Sequence, residues 1–214
     1  MSAIRLTPLS SSLALAGISL SILAGCAATP IEPAIVGYTC CNLHPEEGWV
    51  SSQNVQGGAV IPAGQRVRLD SIKRGYYVYG TIGGVEYALR NDSSKGEAST
   101  MPWVHRLVVP QDPRRQLADW PEPIRTAVRD ARVSVGMTRA QVAMSLGYPS
   151  PDDTPNLSGA TWRYWTAAHD LPVDLLFDAE QRLVRLTGKP EAVASLAAET
   201  PPEAAAPAIV SKGD

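Results

Sequence analysis

The chain of 214 residues has almost no net charge: 19 lysines and arginines balance 21 aspartates and glutamates, for a formal charge of -2. A near-neutral chain without a lysine or arginine block has no overall field to recruit nucleic acid, so we expect no nucleic-acid partner. Phenylalanine occurs once, whereas tryptophan occurs 5 times and tyrosine 7 times. This aromatic composition is typical of small β-rich cores with amphipathic side chains at their edges.

Signatures of catalysis are also missing. The histidines His44, His105 and His169 lie in unrelated contexts, and no nucleophile elbow connects any of them to a serine. The sequence has no phosphate loop, dinucleotide fingerprint or HExxH. Asp152–Asp153 and Asp170 lack the pattern of a calcium loop and look like solvated turn residues. The sequence therefore predicts a protein that is not an enzyme and that needs no cofactor or metal.

No apolar run is long enough to cross a membrane. The run at 13–23 is roughly a dozen residues, whereas a spanning helix needs about twenty. It ends in Leu23-Ala24-Gly25-Cys26, which resembles the lipobox of bacterial lipoproteins. An ordinary signal peptide with an incidental cysteine is the alternative.

The lipobox resemblance implies a signal peptide at residues 1–25 and lipidation of Cys26 after cleavage. Several acyl chains on one cysteine would anchor the protein stably, because a single chain binds a membrane only weakly. In the lipoprotein family, Ala27 in place of aspartate after the cysteine implies sorting to the outer membrane. The expected location is thus the periplasmic face of the outer membrane, with the lipid anchor as the membrane contact.

Lipidation of Cys26 leaves the adjacent pair Cys40 and Cys41. Free thiols do not persist in an oxidising compartment, so the two are expected to be oxidised. Neighbours can bridge only through a tight eight-membered ring, since ordinary disulfides join better separated partners. A disulfide between the two and intermolecular or mixed pairing remain open alternatives. A metal site with His44 is a third, although the usual zinc-ligand spacings are absent.

Composition divides the rest of the chain into segments. A tether containing proline and alanine is predicted at 26–36, followed by a β-rich unit at 37–110. A linker rich in proline and charge at 111–123 leads to a second unit at 124–188. The tail at 189–214 has few large apolar residues, so we expect disorder there, with at most a frayed helix near its start.

The first unit is predicted to consist of strands and turns. Gly83–Gly84 divides two alternating runs at 76–90, as in a two-residue hairpin whose turn requires positive φ at both positions. The register that follows pairs Ile82 with Val85, Gly80 with Tyr87, and Val78 with Leu89 on one face, and Thr81 with Glu86, Tyr79 with Ala88, and Tyr77 with Arg90 on the other. Further strands are expected at 65–70 and 103–109. Several short strands in about seventy residues indicate a small β-barrel, and the pattern at 61–69 resembles the SH3-like barrels of envelope proteins.

The second unit begins with two predicted helices, at 124–133 and after Thr138. Thr138 and Gln141 have the spacing of a capping box, and Gly147 followed by Pro149 predicts the end of the helix. Three strands are expected at 161–166, 172–178 and 182–186. Helices that cover one face of an antiparallel sheet give an α+β fold.

Three parts of this unit together resemble the SmpA/OmlA (BamE-like) lipoproteins: Gly136-Met137-Thr138-Arg139-x-Gln141-Val142, Leu146-Gly147-x-Pro149 and Trp162-x-Tyr164-Trp165. The resemblance covers 124–188 and implies an outer-membrane lipoprotein with two helices on a three-stranded sheet. The name-giving member is an accessory subunit of the machine that folds and inserts β-barrel proteins. The same fold also occurs in secreted inhibitors of β-lactamases.

Alternation along the strand at 161–166 cannot bury Trp162 and Trp165 on the same side. We therefore expect Trp165, with Tyr164 and Arg139, to form a partner surface.

Two functions follow from the sequence. The first is a scaffold or assembly factor that binds another outer-membrane or periplasmic protein through the helix–sheet unit. The second is a binding module whose SH3-like barrel recognises peptidoglycan or a peptide. Inhibition of an envelope enzyme follows from fold analogy alone.

Overall fold

The computed structural model describes residues 27–166 and 171–199. This part of the chain is α+β, with a 7-stranded sheet curled into a half-barrel and a separate 3-stranded sheet. The predicted signal peptide, Cys26, His169 and Asp170 lie outside the described residues, as does the end of the tail. None of the helices in the described part is long and apolar enough to cross a membrane.

The strands are β1 (Thr29–Thr39), β2 (Pro45–Glu46), β3 (Trp49–Ser51), β4 (Arg66–Lys73), β5 (Tyr77–Ile82), β6 (Val85–Arg90), β7 (Val108–Val109), β8 (Thr161–Trp165), β9 (Pro172–Phe177) and β10 (Leu183–Gly188). The helices are α1 (Glu97–Leu107), α2 (Arg114–Ala118), α3 (Glu122–Arg129), α4 (Arg139–Leu146) and α5 (Pro190–Leu196). The large sheet has the order β2-β3-β6-β5-β4-β1-β7, and the small sheet has the order β10-β9-β8.

The predicted hairpin is confirmed as β5 and β6. All six predicted pairs, from Ile82 with Val85 to Tyr77 with Arg90, are present in the register that the sequence specified. Gly83 and Gly84 both have positive φ, as a type I′ turn requires. Val78, Ile82 and Leu89 of the apolar face are buried in the core of the half-barrel, which we call the first core, whereas Val85 at the turn is exposed. A shift of one residue would expose the buried side chains, so this burial fixes the register.

Gly80 is required by the neighbouring strand. A Cβ at this position would lie 2.0 Å from the carbonyl oxygen of Arg68, and β4 carries a bulge between Leu69 and Ser71 at the same level. The close approach of two backbones excludes any side chain at Gly80.

The tether predicted at 26–36 is wrong for most of its length. Residues from Thr29 onward belong to β1, which pairs with β4, and Ile35 lies opposite Leu69. Ile31 and Ile35 pack against the first core. These apolar contacts override the proline content that suggested a linker.

The strand predicted at 103–109 is also wrong, because α1 continues to Leu107 and only β7 is extended. Thr100, Val104 and Leu107 are buried together, with the spacing of one helical face. Pro102 lies inside this helix. Because proline normally disfavours a helix interior, the sequence did not indicate a helix here.

The linker predicted at 111–123 contains α2 and the first turn of α3. Leu117 and Trp120 pack against the core of the helix–sheet unit, which we call the second core. This segment therefore forms part of the unit that it was expected to precede.

The tail is ordered at its start. Ala192 and Leu196 of α5 are buried in the second core, and the Val133 amide donates to the Leu196 carbonyl oxygen over 2.8 Å. The spacing of four residues places both side chains on one helical face. A helix is thus present where the sequence allowed at most a frayed one, and disorder is the wrong prediction for 190–196 because the helix packs into the core. Residues 200–214 lie outside the described part.

The antiparallel order of the small sheet is as predicted, and Val173, Leu175 and Phe177 are all buried on one face. Packed around the same core are α3, α4 and α5, together with Leu117 of α2 and the nearby Trp120. The capping box is confirmed: the Thr138 hydroxyl accepts from the Gln141 amide, and the Gln141 side chain accepts from the Thr138 amide. Gly147 ends α4 with a φ of 76°.

Candidate functional site

The predicted partner surface of Trp165, Tyr164 and Arg139 does not exist as a surface. Tyr164 is only 1% exposed, and its hydroxyl donates to the Gly147 carbonyl oxygen over 2.8 Å. Burial raises the pKa of Tyr164 well above its usual value, so the phenol is neutral and acts as a donor. The hydroxyl thus satisfies a carbonyl at the end of α4 and is unable to reach a partner.

Arg139 is also used internally. Its guanidinium donates to the carbonyl oxygens of Leu157 and Gly159 over 2.7 Å and 2.6 Å. The same group lies 5.0 Å from the ring centroid of Phe177 and 5.8 Å from that of Trp162. Arg139 therefore ties the loop after α4 to the core, which is a structural role.

The two tryptophans of β8 differ as alternation predicted. Trp162 is buried and its indole N–H donates to the Leu157 carbonyl oxygen, whereas Trp165 is half-buried and donates to the Asp153 carboxylate over 2.9 Å. Among the three residues predicted to form the partner surface, Trp165 and Arg139 are both half-buried, but the Arg139 guanidinium is bound to backbone carbonyls.

A bridge of side-chain amides joins the two units, which the sequence did not predict. We define the amide bridge as Asn42, Asn54 and Gln56. The Asn54 amide donates to the carbonyl oxygens of Leu146 and Tyr148, and Gln56 also donates to Leu146. These carbonyls lie at the end of α4, where a helix leaves its last acceptors unsatisfied.

Asn42 makes further buried contacts of the bridge. Its amide donates to the carbonyl oxygens of Val128 and Ser145, and its Oδ1 accepts from the Ala63 amide. The two units are therefore joined by specific hydrogen bonds, and asparagines in a loop give no sequence pattern that would have shown this.

Three aromatic side chains meet on the outer face of the large sheet. We call Trp49, Tyr77 and Tyr79 the aromatic face. Ring centroids are 5.4 Å apart for Trp49 and Tyr77, and 6.4 Å for Trp49 and Tyr79. All three rings are half-buried.

Strand register explains this cluster. Trp49 of β3 and Tyr79 of β5 both lie opposite Ala88 of β6, so the three side chains point to one face. Ala88 is small enough for the rings to close over it, and it is buried although it lies on the outer side. Tyr77 lies two residues from Tyr79 on the same face.

A cavity of about 380 Å³ borders Trp49. Its wall includes Glu46, Glu47, Arg90 and Asp92, together with the inner residues His44 and Gln56. This volume lies within the range of small-ligand pockets. On the other side of Trp49, a second hollow of about 420 Å³ is lined by Glu47, Asp70, Glu86 and aromatic residues.

Two side chains that border the first cavity, His44 and Gln56, have enclosed polar atoms without hydrogen-bond partners among the described residues. Gln56 is 3% exposed, and its Oε1 accepts no hydrogen bond from the described residues. Neither ring nitrogen of His44 makes a hydrogen bond of good geometry within the same part of the chain. Burial lowers the pKa of His44, and the nearby Gly57 backbone opposes part of this shift. His44 is therefore neutral at neutral pH, and both of its ring nitrogens are enclosed by the protein.

Carboxylates without cationic partners surround the aromatic face. Asp92 pairs with Arg90 over 2.8 Å. In the part of the chain that the structure describes, no ion pair is formed by four further carboxylates of this surface, those of Glu46, Glu47, Asp70 and Glu86. The surface beside Trp49 is therefore acidic on both sides.

Cys40 and Cys41 form a disulfide with each other. This state leaves neither thiol for an intermolecular bridge or for a metal. Among the described residues, no group of three or more histidine, cysteine, aspartate and glutamate side chains could hold a metal ion.

The fold and the site thus define a two-unit α+β protein with an aromatic and acidic surface on its half-barrel. Comparisons with models of protein families, with curated proteins and with solved structures found no match for this chain. The resemblance to the SmpA/OmlA lipoproteins therefore rests on the short sequence motifs alone.

Proposed function

We propose that this protein is a lipid-anchored, non-catalytic binding protein of the bacterial outer membrane, and that it holds a partner protein at the periplasmic face. The aromatic face of the half-barrel is the observation that carries the proposal. Tryptophan and tyrosine are enriched among the residues that dominate binding energy, because they bury a large area at low entropic cost.

The aromatic face is a better candidate than the helix–sheet unit. The polar groups of Tyr164 and Arg139 already donate hydrogen bonds to backbone carbonyls. Of the aromatic residues predicted for that surface, Trp165 is the one that stays partly exposed. Trp49, Tyr77 and Tyr79 instead form a continuous patch with hollows on both sides of Trp49. This favours the binding module with an SH3-like barrel over an assembly factor that acts through the BamE-like unit.

Lipidation of Cys26 gives the binding site its location. A membrane-held site meets envelope partners at a high effective concentration, so that modest affinity is sufficient. The BamE-like unit then supports the half-barrel through the amide bridge.

The anchor is tested by Cys26→Ala in cells. The variant should be exported and folded, but recovered in the soluble periplasmic fraction instead of the outer membrane. A variant that is exported and cleaved yet stays in the membrane would show that lipid does not anchor the protein.

The surface is tested by photo-crosslinking. A photoreactive amino acid at position 79 should crosslink to a discrete envelope protein, whereas the same group at position 165 should not. Trp49→Ala should abolish the crosslink from position 79. Crosslinking from position 165 alone would favour the helix–sheet unit and overturn the proposal.

A further inference from the structure

We propose that the cavity beside Trp49 binds the side-chain ammonium of a lysine in the partner protein. This inference rests on the proposed function, because it names the chemistry that the aromatic face recognises. Two features carry it: the charge around the cavity and the ring that borders it.

The charge favours a cation. Glu46, Glu47 and Asp92 line the cavity, and Arg90 is the one basic residue there. Arg90 is already paired with Asp92, which leaves Glu46 and Glu47 uncompensated among the described residues. Complementary charge steers a basic partner to this surface and disfavours an acidic one.

An ammonium group suits this cavity. It carries three donors and no acceptor, so the exposed carboxylates of Glu46 and Glu47 can both accept from it. A neutral amide or hydroxyl would bring an acceptor that the carboxylates repel.

Trp49 suits the rest of a lysine side chain. The apolar stem of lysine packs along an aromatic surface while its charged end reaches a polar partner. The Arg90 guanidinium already lies 5.7 Å from the Trp49 ring centroid, so this ring accepts a neighbouring cation.

The experiment is a calorimetric titration of the full chain, purified from membranes in detergent, with a short peptide of alternating lysine and alanine. The peptide should bind, and acetylation of its lysines, which removes the charge and two of the three donors, should weaken binding at least tenfold. Equal binding of the acetylated peptide would overturn the proposal.

Two variants locate the site. Glu46→Gln combined with Glu47→Gln should weaken binding about tenfold at low salt, because both side chains are exposed and lose their charge without a change in size. Glu180→Gln, an exposed glutamate in the turn between β9 and β10, is the matched control and should bind as the wild type does. Equal loss in the control and in the double variant would show a non-specific charge effect and refute the site.

The outcomes separate this inference from the proposed function. If Trp49→Ala abolishes the crosslink in cells but the lysine peptide does not bind, the ammonium inference is wrong and the binding surface stands. If a peptidoglycan fragment with a free amine binds and the lysine peptide does not, the partner is the cell wall, which contradicts a protein lysine. If position 79 gives no crosslink and no peptide binds, both proposals fail.

Discussion

The two sheets use the same aromatic residues in opposite ways. In the small sheet, Trp162 and Tyr164 are buried, and each donates to a backbone carbonyl of its own unit. In the large sheet, Trp49, Tyr77 and Tyr79 contact one another on the outer face, beside carboxylates that form no ion pair within the described residues. The residues of the sequence motif are therefore structural, and the residues outside it offer a surface for recognition.

The difference follows from what each aromatic ring covers. Trp162 packs against Phe177 in the second core, with ring centroids 5.1 Å apart. Trp49 lies opposite Ala88 and beside Tyr77 and Tyr79, and its ring is only half-buried. A ring in a core contributes to folding, whereas a ring on a sheet face is available to a partner.

Replacing one tryptophan in each sheet should give the largest contrast. Trp162→Ala should destabilise the fold by about 3–5 kcal/mol, because it leaves a cavity in the second core. Trp49→Ala should cost no more than about 1 kcal/mol, since its ring is half-buried. Urea denaturation of both variants measures the difference. Equal losses would remove the distinction between the two sheets.

Removing one hydroxyl from each sheet is a finer test. Tyr164→Phe should cost about 1–2 kcal/mol, because the Gly147 carbonyl oxygen loses its buried donor. Tyr79→Phe should leave the free energy of unfolding nearly unchanged, since the ring is only half-buried and water can hydrogen-bond to the groups that surround the lost hydroxyl. The test is the free energy of unfolding of each variant. A larger loss for Tyr79→Phe than for Tyr164→Phe would contradict the structural role of the Tyr164 hydroxyl.

The smallest expected effect is the dependence of stability on pH that arises from His44. The folded pKa of His44 is below its ordinary value of 6.5 because of burial, so the unfolded chain binds the proton more readily. The stability contribution of neutral His44 is complete above pH 6.5 and declines as pH falls below it. The charged groups around His44 are Glu46, Glu47, Arg90 and Asp92 in one cavity, and Asp130, Arg132 and Glu191 in the neighbouring one.

Denaturation midpoints measured between pH 7.5 and pH 5 should therefore fall, and His44→Gln should make the decline shallower. The Glu180→Gln variant serves again as a control that keeps the wild-type slope. An unchanged slope in His44→Gln would show that other groups cause the decline.

Local signals predicted the elements that they fully specify. The hairpin register followed from Gly83–Gly84 and strict alternation, and the start of α4 followed from Thr138 and Gln141. Both features depend on residues that are close in the chain, so the sequence contains the whole cause.

The elements that were missed depend on distant contacts. β1 exists because β4 pairs with it, α1 tolerates Pro102 because its apolar face is buried, and α5 is ordered by the second core. The aromatic face requires Trp49 and Tyr79 to meet across β6, in a parallel pairing of β3 with β6 that no local pattern indicates. The amide bridge also depends on distant contacts, since the hydrogen bonds between the two units join residues that lie about 90 or more positions apart.

The central claim is that the aromatic face, and not the strand of the sequence motif, meets the ligand. The 5 tryptophans give separate indole N–H signals in a nitrogen-15 NMR spectrum, so titration with the lysine peptide tests this claim directly. The Trp49 signal should shift with increasing peptide while the Trp165 signal stays in place. A shift of Trp165 with Trp49 unmoved would contradict the account.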